Sequence, residues 1–192
     1  MCYNVLRYMS FLLLFLLSAC SSQEDNKNSL SAPETAVEEP HPLEGVECGY
    51  DIGDVACNFE YKDQHEELVG LWDFYEKPII LDFSTMWCYY CNVAAYFEFR
   101  VVEEVGSEDL VWVTVLVENE EGQPPSSEDC QKWANDYALE QPVLAGDYDV
   151  LEQGYSVEAW PTFFIINKEM VIIDVIVGWD GPTIVEATKE AL

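Results

Sequence analysis

The 192-residue chain carries 37 acidic and 8 basic residues, for a formal net charge of −29, and nearly half of its residues are hydrophobic. A surface this acidic repels phosphate backbones, so we do not expect the protein to bind nucleic acid. The apolar content is enough for one domain with a real core, so the chain is not disordered as a whole.

The amino-terminal residues are predicted to form an export signal. Arg7 is followed by an apolar run over residues 11–17, which is shorter than the roughly 20 residues needed to cross a bilayer. The run closes with a sequence that resembles a bacterial lipobox, Leu17-Ser18-Ala19-Cys20. We therefore expect residues 1–19 to be a lipoprotein signal peptide and Cys20 to be lipidated, with ordinary cleavage near Ala19 as the alternative.

The expected location is a lipid-anchored position on the periplasmic or extracytoplasmic face of a membrane. Ser21 follows the lipobox cysteine. In a diderm bacterium, a residue other than Asp at this position resembles the sorting pattern for the outer membrane. The lipidated cysteine and a disordered acidic linker are predicted over residues 20–47, because this stretch is rich in Ser, Pro, Asn and Glu and lacks aromatic residues. His41, in this linker, is expected to be solvated.

Residues 48–192 are predicted to form one domain with alternating strands and helices. The order is β-α-β-α-β, followed by a β-hairpin and a closing helix. Strands are predicted at 57–61, 79–83, 110–117, 142–145, 162–166 and 171–177, and helices at 88–104, from Ser126 or Ser127 to about 138, at 147–153 and at 183–192. The segment 66–76 is predicted to be either a strand and turn or a short helix. This order is that of an α/β domain.

The candidate chemistry lies in Cys88 and Cys91, which are separated by two residues at the junction of a buried strand and a helix. The Cys-x-x-Cys spacing alone is a weak signal. Its position is stronger, because free N–H groups and the helix dipole stabilise a thiolate at a helix N-terminus. The second thiol can then resolve a mixed disulfide, which gives reversible two-electron exchange.

Two motifs carry a resemblance to a known family. They are Ile79-Ile80-Leu81-Asp82-Phe83-Ser84-Thr85-Met86-Trp87-Cys88-Tyr89-Tyr90-Cys91 and Val157-Glu158-Ala159-Trp160-Pro161-Thr162. The first resembles the active-site strand and turn of thioredoxin-fold proteins, and the second resembles their cis-proline segment. With the lipoprotein signal, the chain is most similar to the TlpA/ResA (redoxin-type) branch. The resemblance implies a thioredoxin fold, a central mixed β-sheet flanked by helices, with an N-terminal extension.

The resemblance also implies roles for individual residues. Cys88 would be the nucleophile and Cys91 the resolving thiol of a redox disulfide. Asp82 would be a buried acid of raised pKa that takes the Cys91 proton, and the alternative is that it points to water at a strand end. Substrate binding would involve Trp160, Pro161 in cis and Thr162, which would present backbone to an extended client. Trp87 and Trp160 would form an apolar rim, or would simply pack.

The sequence departs from that family in the residues around the cysteines. Tyr89 and Tyr90 stand between them, and Asn92, not a basic residue, follows. With no cation nearby and a large negative charge, the thiolate is less stabilised than in a strong oxidant. We therefore expect a reductase or exchange protein that acts on client proteins with thiols or disulfides. Its electrons would come from an upstream donor of unknown identity. No cofactor and no metal are expected.

Three further cysteines, Cys48, Cys57 and Cys130, leave two pairings open. Cys48 and Cys57 flank a short glycine-containing loop and are the favoured structural disulfide, and Cys57 with Cys130 is the competing pair.

Three other functions fit the sequence less well than thiol exchange. A metal-binding module is disfavoured because no Cys or His closely follows the Cys-x-x-Cys. A peroxidase of related fold uses a Thr-x-x-Cys site without this cysteine pair. A redox-silent interaction domain is disfavoured by the intact pair.

Overall fold

A computed structural model describes residues 40–192. The signal peptide, Cys20 and the linker as far as residue 39 lie outside the described residues. Within 40–192, none of the helices has the length and apolar character required to span a bilayer.

The domain begins earlier than the sequence led us to expect. The linker predicted from the sequence includes residues 40–47, yet Leu43 is buried in the core. His41 is held as well, since its ring stacks on Trp72 with centroids 5.7 Å apart. The Leu43 amide donates to His41 Nδ1 at 3.2 Å, so Nε2 carries the proton and donates to the Trp72 carbonyl at 3.1 Å. The expectation of a solvated His41 was wrong because the aromatic ring finds both an apolar neighbour and backbone partners.

A small antiparallel hairpin precedes the main sheet. Strand β1 (Glu60–Lys62) pairs with β2 (Leu68–Gly70), and a 3-10 turn follows at Leu71–Phe74. The segment 66–76 thus contains both a strand and a helical turn. β1 is shorter than the strand predicted at 57–61 and begins later.

The main sheet has five strands in the spatial order β5-β4-β3-β6-β7. Their bounds are β3 Ile79–Thr85, β4 Val111–Glu118, β5 Val143–Ala145, β6 Thr162–Ile166 and β7 Ile172–Val177. β3, β4 and β5 are parallel, and β6 and β7 are antiparallel to their neighbours. This confirms the predicted mixed sheet. β3 and β4 read as near-continuous apolar runs because both faces of the sheet are covered.

The register of β3 against β4 shifts near the carboxyl ends of the two strands. Ser84 lies opposite Leu116, but Thr85 lies opposite Glu118, so β4 holds one extra residue there. Such a bulge re-aims the side chains that follow it. It lies directly before the turn that leads to Cys88.

The helices are α1 (Tyr89–Val105), α2 (Ser127–Tyr137), α3 (Asp149–Gln153) and α4 (Gly181–Glu190). α1 ends at Gly106, whose positive φ of 75° suits a residue without a side chain. α2 begins with a capping box between Ser126 and Asp129, which identifies Ser126 as its N-cap.

One face of the sheet lies under α1 and α4, and α2 packs beside α1. Ile80 of β3 packs there with residues of both helices, and Leu116 of β4 packs with α2. The opposite face carries Phe83 and Leu81, which pack with the amino-terminal extension. Because side chains alternate along a strand, Asp82 shares the face of Ile80 and lies beneath the helix layer.

Candidate active site

Cys88 occupies the N-cap of α1. Its backbone is extended, with φ −78° and ψ 122°, and its Sγ accepts the backbone N–H of Cys91 at 3.2 Å. This places the sulfur at the end of the helix where unpaired N–H groups and the dipole favour negative charge. The location predicted from the sequence is therefore the one observed.

Cys88 and Cys91 are joined by a disulfide. Cys91 is completely buried, whereas Cys88 retains a small exposed fraction of 7%. An incoming thiol or disulfide therefore meets Cys88 first. This difference favours Cys88 as the nucleophile and Cys91 as the resolving thiol.

Asn92 holds the turn that presents the cysteines. Its side-chain amide donates to the carbonyls of Met86 at 3.0 Å and Cys88 at 2.6 Å, and its Oδ1 accepts the Tyr137 hydroxyl. In the sequence, Asn92 is notable only because it is not a basic residue. In the structure, its hydrogen bonds hold the turn in place. No local pattern indicates this role, because the partners of Asn92 are backbone carbonyls and a tyrosine 45 residues away.

Asp82 is buried in the middle of the sheet, with 1% of its surface exposed. The alternative that it points to water at a strand end is therefore wrong. The Ser84 hydroxyl donates to Asp82 Oδ1 at 2.6 Å. Burial raises the pKa of Asp82 to about 7, because the charged form loses its hydration.

Hydrogen bonding opposes part of this rise in the Asp82 pKa. Ser84 is the strongest such group, and the polar atoms of Trp112 and Thr114 act in the same direction. Among the residues that the structure describes, however, the Trp112 indole N–H has no hydrogen-bond partner. We assign the stabilising bond to Ser84 and treat Trp112 as a neighbouring dipole.

The cis-proline segment lies beside the cysteines. The Trp160–Pro161 peptide bond is cis, and Trp160 packs against the apolar cluster that contains both Cys88 and Cys91. Thr162 is fully buried, and its hydroxyl donates to the Ala159 carbonyl at 2.7 Å. Its side chain therefore holds the segment in place, and the expected part of Thr162 in substrate binding, through the backbone, stays a prediction.

Trp87 is about half exposed, at 52%, and its indole N–H donates to Glu118 Oε2 at 2.6 Å. Glu118 Oε1 accepts the Tyr148 hydroxyl at 2.5 Å. Tyr89 and Tyr90 are also exposed, at 74% and 58%. Glu118 was not among the predicted site residues. The available signal was its place at the carboxyl end of β4, a strand parallel to β3, because the carboxyl ends of both strands lie at the same edge of the sheet.

The remaining cysteines resolve into one pair and one thiol. Cys48 and Cys57 are joined with an S–S distance of 2.08 Å, as favoured from the sequence. Cys130 is a buried free thiol on α2, in the apolar cluster of Cys91, so the competing pairing with Cys57 is not formed. Burial, together with smaller contributions from the negative charges of Asp129 and Asp63, raises the pKa of Cys130 to about 12.

Within 40–192, no three side chains of His, Cys, Asp or Glu are grouped to hold a metal ion. The arrangement around Cys88 instead provides a nucleophilic sulfur, a second thiol and a buried acid.

Comparison with known proteins gives a consistent picture. Residues 52–175 match the model of the AhpC/TSA family. The Thioredoxin-like protein YneN of Bacillus subtilis is 28% identical over 132 residues, which cover 69% of this chain and 75% of that protein.

Solved structures are similar over most of the domain. The pneumococcal exposed lipoprotein thioredoxin Etrx1 of Streptococcus pneumoniae aligns with a TM-score of 0.56 and 26% identity, covering 70% of this chain and 99% of that one. A thiol:disulfide interchange protein of the thioredoxin family from Chlorobium tepidum aligns with a TM-score of 0.60 and 18% identity, covering 73% and 97%. The second likeness concerns the fold alone.

Proposed function

Because the chain belongs to the AhpC/TSA family and is a thiol–disulfide oxidoreductase of the thioredoxin fold, we propose that it reduces or exchanges client disulfides outside the cytoplasm while anchored by a lipid on Cys20. The observation that carries the proposal is the position of Cys88. It is the more exposed sulfur of the pair, and it caps α1.

The reaction begins with both cysteines reduced. The Cys88 thiolate attacks one sulfur of a client disulfide, so that a Cys88–client bond forms and the client S–S bond breaks. The released client sulfur takes a proton from solvent. Cys91 then attacks Cys88 Sγ, which closes the Cys88–Cys91 disulfide and releases the second client thiol. Two electrons pass from the protein to the client, and an upstream dithiol donor must restore the pair.

Asp82 supports the second step. Cys91 is buried, so its thiol cannot lose a proton directly to bulk water. A carboxylate with a pKa of about 7 is suited to accept that proton near neutral pH. This role requires Asp82 to be ionised when Cys91 attacks.

The exposed aromatic residues around the turn supply a docking surface for a client. Trp87, Tyr89 and Tyr90 each expose more than half of their surface. Large rigid rings give much contact area for little loss of side-chain entropy. The backbone of the Trp160–Pro161 segment offers strand-like hydrogen bonds beside them.

The direction of electron flow is proposed from the charge around the sulfur. The first turn of α1 contains Tyr89, Tyr90, Cys91 and Asn92, so it holds no basic residue. The net charge of −29 adds a negative field. Because of both features, the Cys88 thiolate is less stabilised than the corresponding thiolate of a strong oxidant. This favours a reductase or exchange role.

Lipid anchoring is supported by the lipobox-like Leu17-Ser18-Ala19-Cys20. The related pneumococcal protein is named a lipoprotein. Membrane fractionation of cells making the wild-type chain or Cys20→Ala tests it. The wild type is expected with membranes and the variant in the soluble fraction, and equal distribution would contradict the anchor.

The activity is tested by insulin reduction with dithiothreitol as donor, using the full chain. Cys88→Ser is expected to lose turnover, and Cys91→Ser to accumulate a mixed disulfide that can be isolated and identified. Cys130→Ala is the matched control and is expected to retain activity. Turnover by Cys88→Ser, or tight metal retention by a wild type without turnover, would reject the proposal in favour of a binding module.

A further inference from the structure

Glu98 is a carboxyl group in the buried face of α1. It is 4% exposed, and its Oε2 has no hydrogen-bond partner among the described residues. It lies seven residues after Cys91, which is two helical turns, so both residues occupy the same face of the helix. A charged carboxyl in such a position is strongly disfavoured unless something compensates it.

Glu98 also lines a groove that opens to solvent. The groove lies between α1 and the carboxyl end of α2, and its volume is about 680 Å3. Ala95 and Phe99 form its α1 wall with Glu98, and Tyr137 and Leu139 form the opposite wall. Asp82 is not among the residues that line it. Glu98 is therefore the carboxyl that connects the buried layer with this opening.

The charges of Glu98 and Asp82 influence each other. Burial raises the pKa of Glu98 to about 8, and the negative charge of Asp82 contributes to the rise. Both carboxyls lie between the sheet and the helix layer, which accounts for this interaction. Both groups therefore change their proton occupancy around neutral pH, and their titrations are coupled.

Within residues 40–192, no Lys, Arg or His is buried, so no buried cation lies near Glu98. The charged group of β3 that acts on Glu98 is Asp82. The residues of α4 that are buried are uncharged: Ile184, Val185, Ala187 and Thr188. The titratable groups along the groove are acidic or phenolic: Tyr96, Glu103, Asp136, Tyr137 and Glu140. No lining residue can therefore hold Glu98 ionised by pairing with it.

We propose that Glu98 relays protons between Asp82 and the solvent in the groove. The proposal rests on the thiol chemistry proposed above, because the proton that it moves comes from Cys91. When Cys91 attacks Cys88, the Cys91 S–H bond breaks and its proton passes to the Asp82 carboxylate. Glu98 then releases its own proton to the groove and takes the one held by Asp82. Asp82 is thereby returned to its charged form, and Glu98 acts through Asp82, not on the sulfur atoms.

The test measures the rate at which Cys91 resolves the mixed disulfide, using stopped-flow tryptophan fluorescence. A disulfide-bonded peptide is the oxidant, and the rate is measured between about pH 6 and 9. Glu98→Gln is expected to be about tenfold slower at neutral pH, less than the roughly 10²–10⁴-fold of a full acid–base role. Small buffer bases such as imidazole are expected to restore its rate, whereas the wild-type rate should not depend on buffer concentration. Glu98→Asp is expected to keep part of the rate.

Glu103→Gln is the matched control, because Glu103 lies on the same groove but is exposed. It is expected to show the wild-type pH profile. A Glu98→Gln variant with the pH profile and buffer independence of the wild type would overturn the relay while leaving the proposed function intact. A wild type that does not reduce the peptide would instead reject the proposed function.

A second measurement does not depend on turnover or on the folding of Glu98→Gln. Carboxyl carbon NMR of the full chain is expected to show Glu98 titrating at lower pH in Asp82→Asn than in the wild type, because the neighbouring charge is gone. An unchanged Glu98 titration would show that the two carboxyls are not coupled and would overturn the relay.

Discussion

Trp87 donates its indole N–H to Glu118 at 2.6 Å, so the residue before the nucleophilic cysteine is fixed by the last residue of the neighbouring strand. The same carboxylate accepts the Tyr148 hydroxyl. One side chain therefore sets two aromatic residues near the cysteine pair. The positions of exposed aromatic rings are otherwise free to vary, because solvent does not restrain them.

Glu118→Ala is expected to release Trp87 and to slow insulin reduction by about threefold to tenfold, since this bond is solvent-exposed and an ordinary hydrogen bond contributes a net value of about 1 kcal/mol. Tryptophan fluorescence anisotropy should show greater mobility. The exposed Glu121→Ala in the following loop is the control and is expected to be neutral. Wild-type turnover and anisotropy in Glu118→Ala would show that the bond has no functional role.

Asp82→Asn is expected to slow disulfide exchange. It is also expected to become more stable relative to the wild type as the pH rises. The Asp82 pKa is about 7 in the folded state and 3.8 as the ordinary value, so its contribution to stability is greatest below pH 3.8 and declines up to about pH 7. Asparagine has no such decline.

The difference in unfolding free energy between Asp82→Asn and the wild type should therefore grow between pH 5 and 7 by about 2–3 kcal/mol, and then level off. Urea unfolding of both proteins across this range measures it. A constant difference would mean that the pKa of Asp82 is not raised in the folded state.

Removing the Cys48–Cys57 disulfide is expected to lower stability without abolishing activity. The two cysteines are nine residues apart, and closing so short a loop stabilises by about 2–3 kcal/mol on the chain-entropy estimate. The double variant Cys48→Ala/Cys57→Ala avoids leaving a free thiol. Urea unfolding and insulin reduction give the two readouts, and peptide mapping that found Cys57 bonded to Cys130 would contradict the pairing.

Cys130 is expected to resist alkylation in the folded protein. Its thiol is buried, and its pKa is raised to about 12, so very little thiolate is present near neutral pH. After reduction under native conditions, iodoacetamide should label Cys88 and leave Cys130 unmodified until denaturant is added. Mass spectrometry of the labelled peptides decides this, and equal labelling of both would show that α2 opens readily.

The sequence predicted those parts of the site that depend on local pattern. The apolar strand before Cys88, the helix after it and the proline at 161 are all short-range signals, and the mixed sheet follows from their order. Asp82 was found because a carboxylate inside an apolar strand is unusual.

The parts that were missed depend on contacts between distant segments. Glu98 was overlooked because a glutamate in a helix is ordinarily on the solvent side, and nothing local marks the face that becomes buried. Glu118 and Asn92 act through partners that only the sheet register and the packing of α2 bring near. The amino-terminal boundary was placed too late because Leu43 is a single apolar residue in a polar stretch.

The extra residue in β4 has a consequence for protein engineering. Thr85 lies opposite Glu118 only because the strand register shifts by one position after Ser84. Deleting Val117 would shorten β4 by that residue, and the side chains after the deletion would point to the opposite face of the sheet. A chimera that places the Trp87–Cys91 turn on another scaffold of this fold must therefore include the irregular end of β4 as well. Without it, the indole N–H of Trp87 would lack its acceptor, Glu118.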